Sequence, residues 1–138
     1  MSLIVTDAGF APDDWPHGWT ETPGGAAGLH LHPDADPEAL RPHLARIEAI
    51  RIPFAVFSDG RGFTLAATLR RMGFAGRLRA QGHVIADQYA MARRSGFDEV
   101  EIDADLAARQ PEADWLARAN WRTNDYRAKL RRKAAASC

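Results

Sequence analysis

A single cysteine in 138 residues, placed last at Cys138, excludes an intrachain disulfide scaffold and makes a reducing cytoplasm the expected compartment. No apolar run approaches the roughly 20 residues that a membrane-crossing helix needs, and no basic-then-apolar start marks a signal peptide. Lys and Arg are missing from residues 1–40, which hold seven acids: Asp7, Asp13, Asp14, Glu21, Asp34, Asp36 and Glu38. The third glycine of a dinucleotide-binding turn is missing too, because Leu65 stands three residues after Gly62. A Rossmann cofactor site is therefore rejected. The cluster from Gly24 to Gly28 has no strong strand before it, which argues against a phosphate loop. Ser58 and Ser95 lack the strand-Gly-x-Ser-x-Gly-helix setting of a hydrolase nucleophile.

What is present is a chain of one domain's length with 46% hydrophobic content, enough to bury a core. The zero net charge conceals an asymmetry, since Arg118 to Lys133 carries seven bases against Asp125 alone. The domain as a whole is not basic, so nucleic acid is a disfavoured partner. The simpler expectation is a solvated terminal helix facing the acidic start, within one chain or across a dimer.

The pattern centres on Phe54 to Phe63, where an apolar run, Phe54-Ala55-Val56-Phe57, stops at Ser58-Asp59-Gly60-Arg61-Gly62 and a helical pattern begins. That is how a buried parallel strand feeds a helix. Around it, Leu3 to Val5 reads as a short strand and residues 16–28 as loop. Gly28 to His32 reads as a strand with Leu29 and Leu31 on one face and His30 and His32 on the other. Asp36 caps a helix started by Pro37, which Pro42 either bends or makes begin late, with Leu40, Leu44 and Ile47 facing the sheet. Leu65, Leu69 and Met72 stripe the next helix, ended by Gly73. Leu78 to Ala80 is a strand; Val84, Ile85, Met91 and Ala92 mark a third helix ended by Gly96. Glu99 to Ile102 is another strand, with Asp103 capping a fourth helix that Pro111 breaks.

Met72-Gly73-Phe74 echoes in Ser95-Gly96-Phe97, one βα unit later. The expected fold is α/β, with repeated βα units forming a parallel sheet of about four strands, open or a half-barrel. It is a single domain: an extended N-terminal segment (1–27), the βα repeats (28–117) and a basic tail (118–138). A half-barrel leaves apolar edges that favour a homodimer.

Ligands of such folds sit where strands end and helices begin. Gly60 and Gly62 permit close backbone approach, Arg61 offers a planar guanidinium, and Arg79, Gly82 and His83 on the next unit should join the same rim. The expected ligand is an oxyanion: phosphate, sulfate or sulfite. The competing reading has Asp59 capping the helix, the glycines shaping the turn and Arg61 pairing with a carboxylate. Asp87 and Gln88 open the third helix, where Asp87 suits the helix dipole without a catalytic role. His30 and His32 could begin a metal site, but His17, His43 and His83 supply no further metal spacing, so no metal is expected. No cofactor is evident.

Phe57 to Phe63, Leu69-Arg70, Gly76, Leu78-Arg79-Ala80, Gly82, Asp87-Gln88 and Gly96-Phe97-Asp98 together resemble the bacterial domain of unknown function 934, with a fainter echo at Asp13-Asp14-Trp15. The resemblance implies an uncharacterised protein or oxidoreductase linked to assimilatory sulfite reduction, with Asp59, Gly60, Arg61, Gly62, Arg79, Asp87 and Gln88 forming a site. His83 stands where the family often has aspartate and Ser95 where it often has cysteine, so thiol chemistry is not expected to be essential. Three functions remain open: an accessory of sulfite reduction that binds a sulfur oxyanion or docks onto sulfite reductase; an enzyme acting on a phosphorylated or sulfated substrate; an adaptor without a ligand.

Overall fold

The computed structural model describes residues 2–24, 27–56 and 59–121. Six strands form one open sheet: β1 (Ser2–Thr6), β2 (Gly9–Pro12), β3 (Gly28–His30), β4 (Ala49–Phe54), β5 (Arg77–Gly82) and β6 (Glu99–Asp103), in the order β2-β1-β6-β5-β4-β3. Strands β3 to β6 are parallel and in chain order, as a run of right-handed βα units requires. The expected count of about four is exceeded because the N-terminal segment folds into an antiparallel hairpin, and β1 of that hairpin pairs with β6.

The central strand also lies earlier than its apolar run suggests, at Ala49–Phe54 rather than Phe54 to Phe57. Pro53 hid it, since a proline speaks against an inner strand. Here β3 stops at the pair His30↔Arg51, before it reaches Pro53. The missing N–H therefore leaves no ladder bond unmade. Ala55 and Val56 are exposed beyond the strand, and Phe57 and Ser58 lie outside the described residues.

The helices are α1 (Arg61–Arg71), α2 (Tyr89–Ser95), α3 (Ala104–Arg109) and α4 (Glu112–Leu116), with 3-10 turns at Pro37–His43 and Ala86–Gln88. Asp36 accepts from the Glu38 N–H at the first turn and Asp103 from the Leu106 N–H at α3, as capping residues do. Gly73 and Gly96 are left-handed where the sequence places helix ends. The helices pack on the face made by Leu29, Ile50, Ile52, Leu78, Ala80 and Val100, all fully buried. Phe54, Phe63 and Phe97 meet in the middle of this layer, with ring centroids 5.0–6.4 Å apart. Met91, expected among the apolar residues of its helix, is exposed, and Tyr89 takes the buried place. Among the described residues no helix is long and apolar enough to cross a membrane.

Because β2 and β3 are opposite edges, the connection between them must cross the sheet, and it crosses the helix-free face. This crossing strap carries Asp13, Asp14, Trp15 and Trp19. Beneath it, alternate residues of neighbouring strands bring three guanidiniums, Arg51, Arg77 and Arg79, against Glu99 and Glu101. Arg79 has no exposed surface. Its Nε donates to Glu99 at 2.8 Å, its Nη1 to Glu101 at 2.8 Å, and its two terminal nitrogens hold Asp13 at 3.0 Å each. Arg77 pairs with Glu99 and Asp14, and Trp19 lies over Arg51 and Arg79 at 4.8 and 5.2 Å. From the acidic start, Asp13 and Asp14 therefore pair with strand arginines, and Asp7 pairs with Arg93. The stretch of the basic tail from Arg122 onward lies outside the described residues, while Arg118 pairs with Asp87.

Candidate functional site

Strands β3, β4 and β5 end on one side of the sheet, and a depression of about 470 Å³ opens there. His30 and His32 come from the end of β3, Gln81 and His83 from the end of β5, and Asp59 and Arg61 from the start of α1. Local chain chemistry makes this edge. Gly82 pairs with Phe54 and takes a φ of +105°, a value that suits glycine. A side chain there would also meet the Phe54 carbonyl oxygen at 2.9 Å. The chain thus hooks over the end of β4, and the His83 N–H donates to that same carbonyl at 2.9 Å. Gly62 serves packing instead: a Cβ would lie 2.5 Å from the Phe54 ring, so α1 sits against β4 only with glycine at this place.

Of the residues expected at one rim, Asp59, Arg61, Gly82 and His83 come together. Gly60 is exposed beside them at the helix N-cap, and Gly62 is buried behind. Arg79 lies within the charge network on the open face. Its side chain alternates with those of Leu78 and Ala80, and three carboxylates take up its donors. Asp87 faces a different depression, where Arg118 Nη2 donates to it at 2.6 Å. The Gln88 side chain accepts from the Ile85 N–H at 3.1 Å, closing the 3-10 turn.

Arg61 grips Asp59 through Nε and Nη2, with bonds of 2.8–3.2 Å, and the Arg61 backbone N–H adds another at 3.1 Å. These bonds bring the Asp59 carboxyl down to about 2. The pairing that competed with a ligand role is therefore present, but it uses only part of the fork. Nη1 stands 4.0 Å from Asp34 and makes no hydrogen bond to a described residue.

His30 receives a hydrogen bond at Nδ1 from Arg51 Nε, 3.0 Å away, so its proton resides on Nε2. Burial, and then the adjacent Arg51 charge, hold its pKa below the usual imidazole value. Arg51 in turn reaches Glu101 at 3.5 Å, which joins the depression to the charge network under the strap. His32 Nδ1 donates to Asp34 at 2.6 Å. Among the described residues, no group of three His, Cys, Asp or Glu side chains could hold a metal.

Two signals in the sequence could have revealed more. Arg77 and Arg79 face Glu99 and Glu101 on adjacent parallel strands, each pair at period two, so register alone brings opposite charges together. The pair His30 and His32 marks the end of β3, and this end forms one wall of the depression.

These groups predict the acid limb of stability. Asp59 is lowered by the Arg61 bonds, Asp13 by its bonds from Arg79, and Asp14 by its bond from Arg77. The unfolded chain therefore takes up more protons than the native one below about pH 4, and stability falls there. His30 has the same sign at higher pH: its native pKa is depressed, so its contribution is full above about 6.5 and is lost as pH falls from there. Urea midpoints measured from pH 8 to pH 3 should decline first below about 6.5 and more steeply below about 4, and His30→Gln should lack the first decline. Identical profiles for wild type and His30→Gln between pH 7 and 5 would contradict the assignment.

The fold and the depression define an open, mostly parallel α/β protein with a histidine- and arginine-lined recess at the C-terminal ends of its strands. The chain belongs to the family described as "Bacterial protein of unknown function (DUF934)", whose family model matches residues 28–136. No curated protein and no solved structure matches the chain.

Proposed function

We propose that the protein binds a small oxyanion in the recess formed by His30, Arg61, Gln81 and His83, and acts in the cytoplasm as an accessory or oxidoreductase component of assimilatory sulfite reduction. The observation that supports anion binding is a set of donor-bearing side chains lining one recess: the Gln81 and His83 side chains make no hydrogen bond to a described residue, and Arg61 Nη1 has only Asp34, 4.0 Å away. His30 adds an Nε2–H held in place by Arg51. The Asp59–Arg61 pair cancels its own charge, so recognition works through directed hydrogen bonds rather than a strong field. The sulfur chemistry and a partnership with sulfite reductase rest on the resemblance of Phe57 to Asp98 to its family. The imidazoles also favour a second reading, an enzyme acting on a phosphorylated or sulfated substrate, in which His83, whose ring makes no hydrogen bond to a described residue, serves as the acid or base.

The test is thermal unfolding at low salt with sulfite, sulfate and phosphate, on wild type and Arg61→Ala. A ligand present at 100 times its dissociation constant stabilises the fold by about 2.7 kcal/mol, several degrees in Tm for a domain of this size. The shift should vanish or shrink in Arg61→Ala. A cooperatively melting protein that shifts with none of the three anions would sink the proposal, and dependence of its melting on protein concentration would then favour a self-assembling adaptor.

A further inference from the structure

The oxyanion recess does not stand alone. A second depression of about 600 Å³ continues from it across Ala55 and His83, which border both. Its character is different: Val56, Ile85 and Leu106 present apolar surface, with Arg109 and Gln110 at the far side. Val56, just beyond β4, is 54% exposed, whereas the apolar residues of β4 and β5 on the helix-covered face are buried. The Gln110 side chain is held by the Ala86 N–H, which donates to its Oε1 at 2.5 Å, so the amide end that could donate to a ligand has a set position.

A sulfate or phosphate fills only part of the first recess. It leaves the apolar second one facing water, where each buried Å² of apolar ligand surface would contribute about 25 cal/mol. Ligand sites of this kind pair a mostly apolar wall with a few directed polar groups. Polar donors at one end, apolar wall at the other, and His83 at the junction describe a ligand with an anionic head and an apolar or planar body.

We infer that the two depressions form one site, whose ligand is an organic oxyanion, a phosphate or sulfate ester, with its head among His30, Arg61 and Gln81 and its body against Val56, Ile85 and Leu106. This inference rests on the oxyanion reading and narrows its ligand class.

Methyl phosphate and phenyl phosphate carry the same head and differ in the body, so their titration calorimetry on wild type, Arg61→Ala and Val56→Asp tests the inference. Phenyl phosphate should bind at least tenfold more tightly than methyl phosphate, a difference of 1.4 kcal/mol. Val56→Asp should abolish that advantage, bringing the ratio of the two affinities close to one whatever its added charge does to both. Arg61→Ala should weaken both ligands. Val56 is largely outside the core, and a cooperative melt near the wild-type temperature confirms that the variant folds. Equal affinity for the two esters would overturn the two-part site and leave the anion recess standing. Binding of neither ester would remove both proposals. Phenyl phosphate binding that responds to Val56→Asp but not to Arg61→Ala would show an apolar site without the anion head and overturn the joined one.

Discussion

Replacing Arg79 by leucine should lower the free energy of unfolding by about 3–5 kcal/mol, the usual loss when one member of a buried charge cluster is removed. Arg79 is wholly buried, and its guanidinium serves Glu99, Glu101 and Asp13 together. Without it, Glu99 retains Arg77, but Glu101 is left with a 3.5 Å contact to Arg51, and the strap loses its central anchor. Arg79→Lys should recover little, because one ammonium cannot reproduce a fork that spans three carboxylates. Trp19 lies over this guanidinium, so its fluorescence should report release of the strap in Arg79→Leu before global unfolding. The triple variant Arg79→Leu, Glu99→Leu, Glu101→Leu should regain only part of the loss: it removes the two buried carboxylates, but it leaves Asp13 without Arg79 and Arg51 without Glu101. Urea titrations followed by circular dichroism measure all three. A loss below 1 kcal/mol in Arg79→Leu would mean that water already reaches the network and that burial of Arg79 is not what makes it matter.

Trp115→Ala should have a comparable effect, again about 3–5 kcal/mol, but for a different reason. The indole is 1% exposed and meets Tyr89 edge to face, with centroids 6.2 Å apart. Its Nε1–H donates to the Gln110 carbonyl at 2.8 Å. Tyr89 passes the connection on, donating to Asp7 at 2.5 Å, while Glu112 at the start of α4 accepts from the Phe10 N–H in the hairpin at 2.8 Å. One aromatic contact thus clamps α4, α2 and the β1-β2 hairpin together. Trp115→Phe separates the causes: it keeps most of the packed area and loses the bond to Gln110, which should account for about 1–3 kcal/mol. If the phenylalanine variant were as unstable as alanine, the hydrogen bond and not the packing would be the dominant contribution. The denaturant slope should be unchanged in both variants, because neither substitution alters how much surface unfolding exposes.

Both predictions concern features that local sequence patterns reach only in part. Alternation of apolar residues, the capping aspartates Asp36 and Asp103 and the glycines Gly73 and Gly96 are short-range signals. They were enough to define βα units, the parallel direction of the sheet and the strand-end edge at which the recess opens. Asp59, Arg61, Gly82 and His83 were legible as neighbours because each lies at or just after the end of a strand, and strand ends align in a parallel sheet. That Arg61 pairs with a carboxylate was legible as well, and the structure shows the partner to be Asp59. Other features depend on partners far apart in the chain. Arg79 looked like a rim residue until the pairing of β5 with β6 and the passage of the strap turned it towards Glu99, Glu101 and Asp13, the last of these 66 residues away. The hairpin gained its place only because β6 offered a free edge to β1. Pro53 concealed the central strand because its tolerance depends on where β3 stops, a fact of register rather than of the residue. By itself, the sequence determined the local elements, their order and the strand-end edge, through interactions that span one or two turns. Tertiary structure decided which face the helices left open, what crossed it and which charges met beneath, because strand order and register set those contacts across the whole chain.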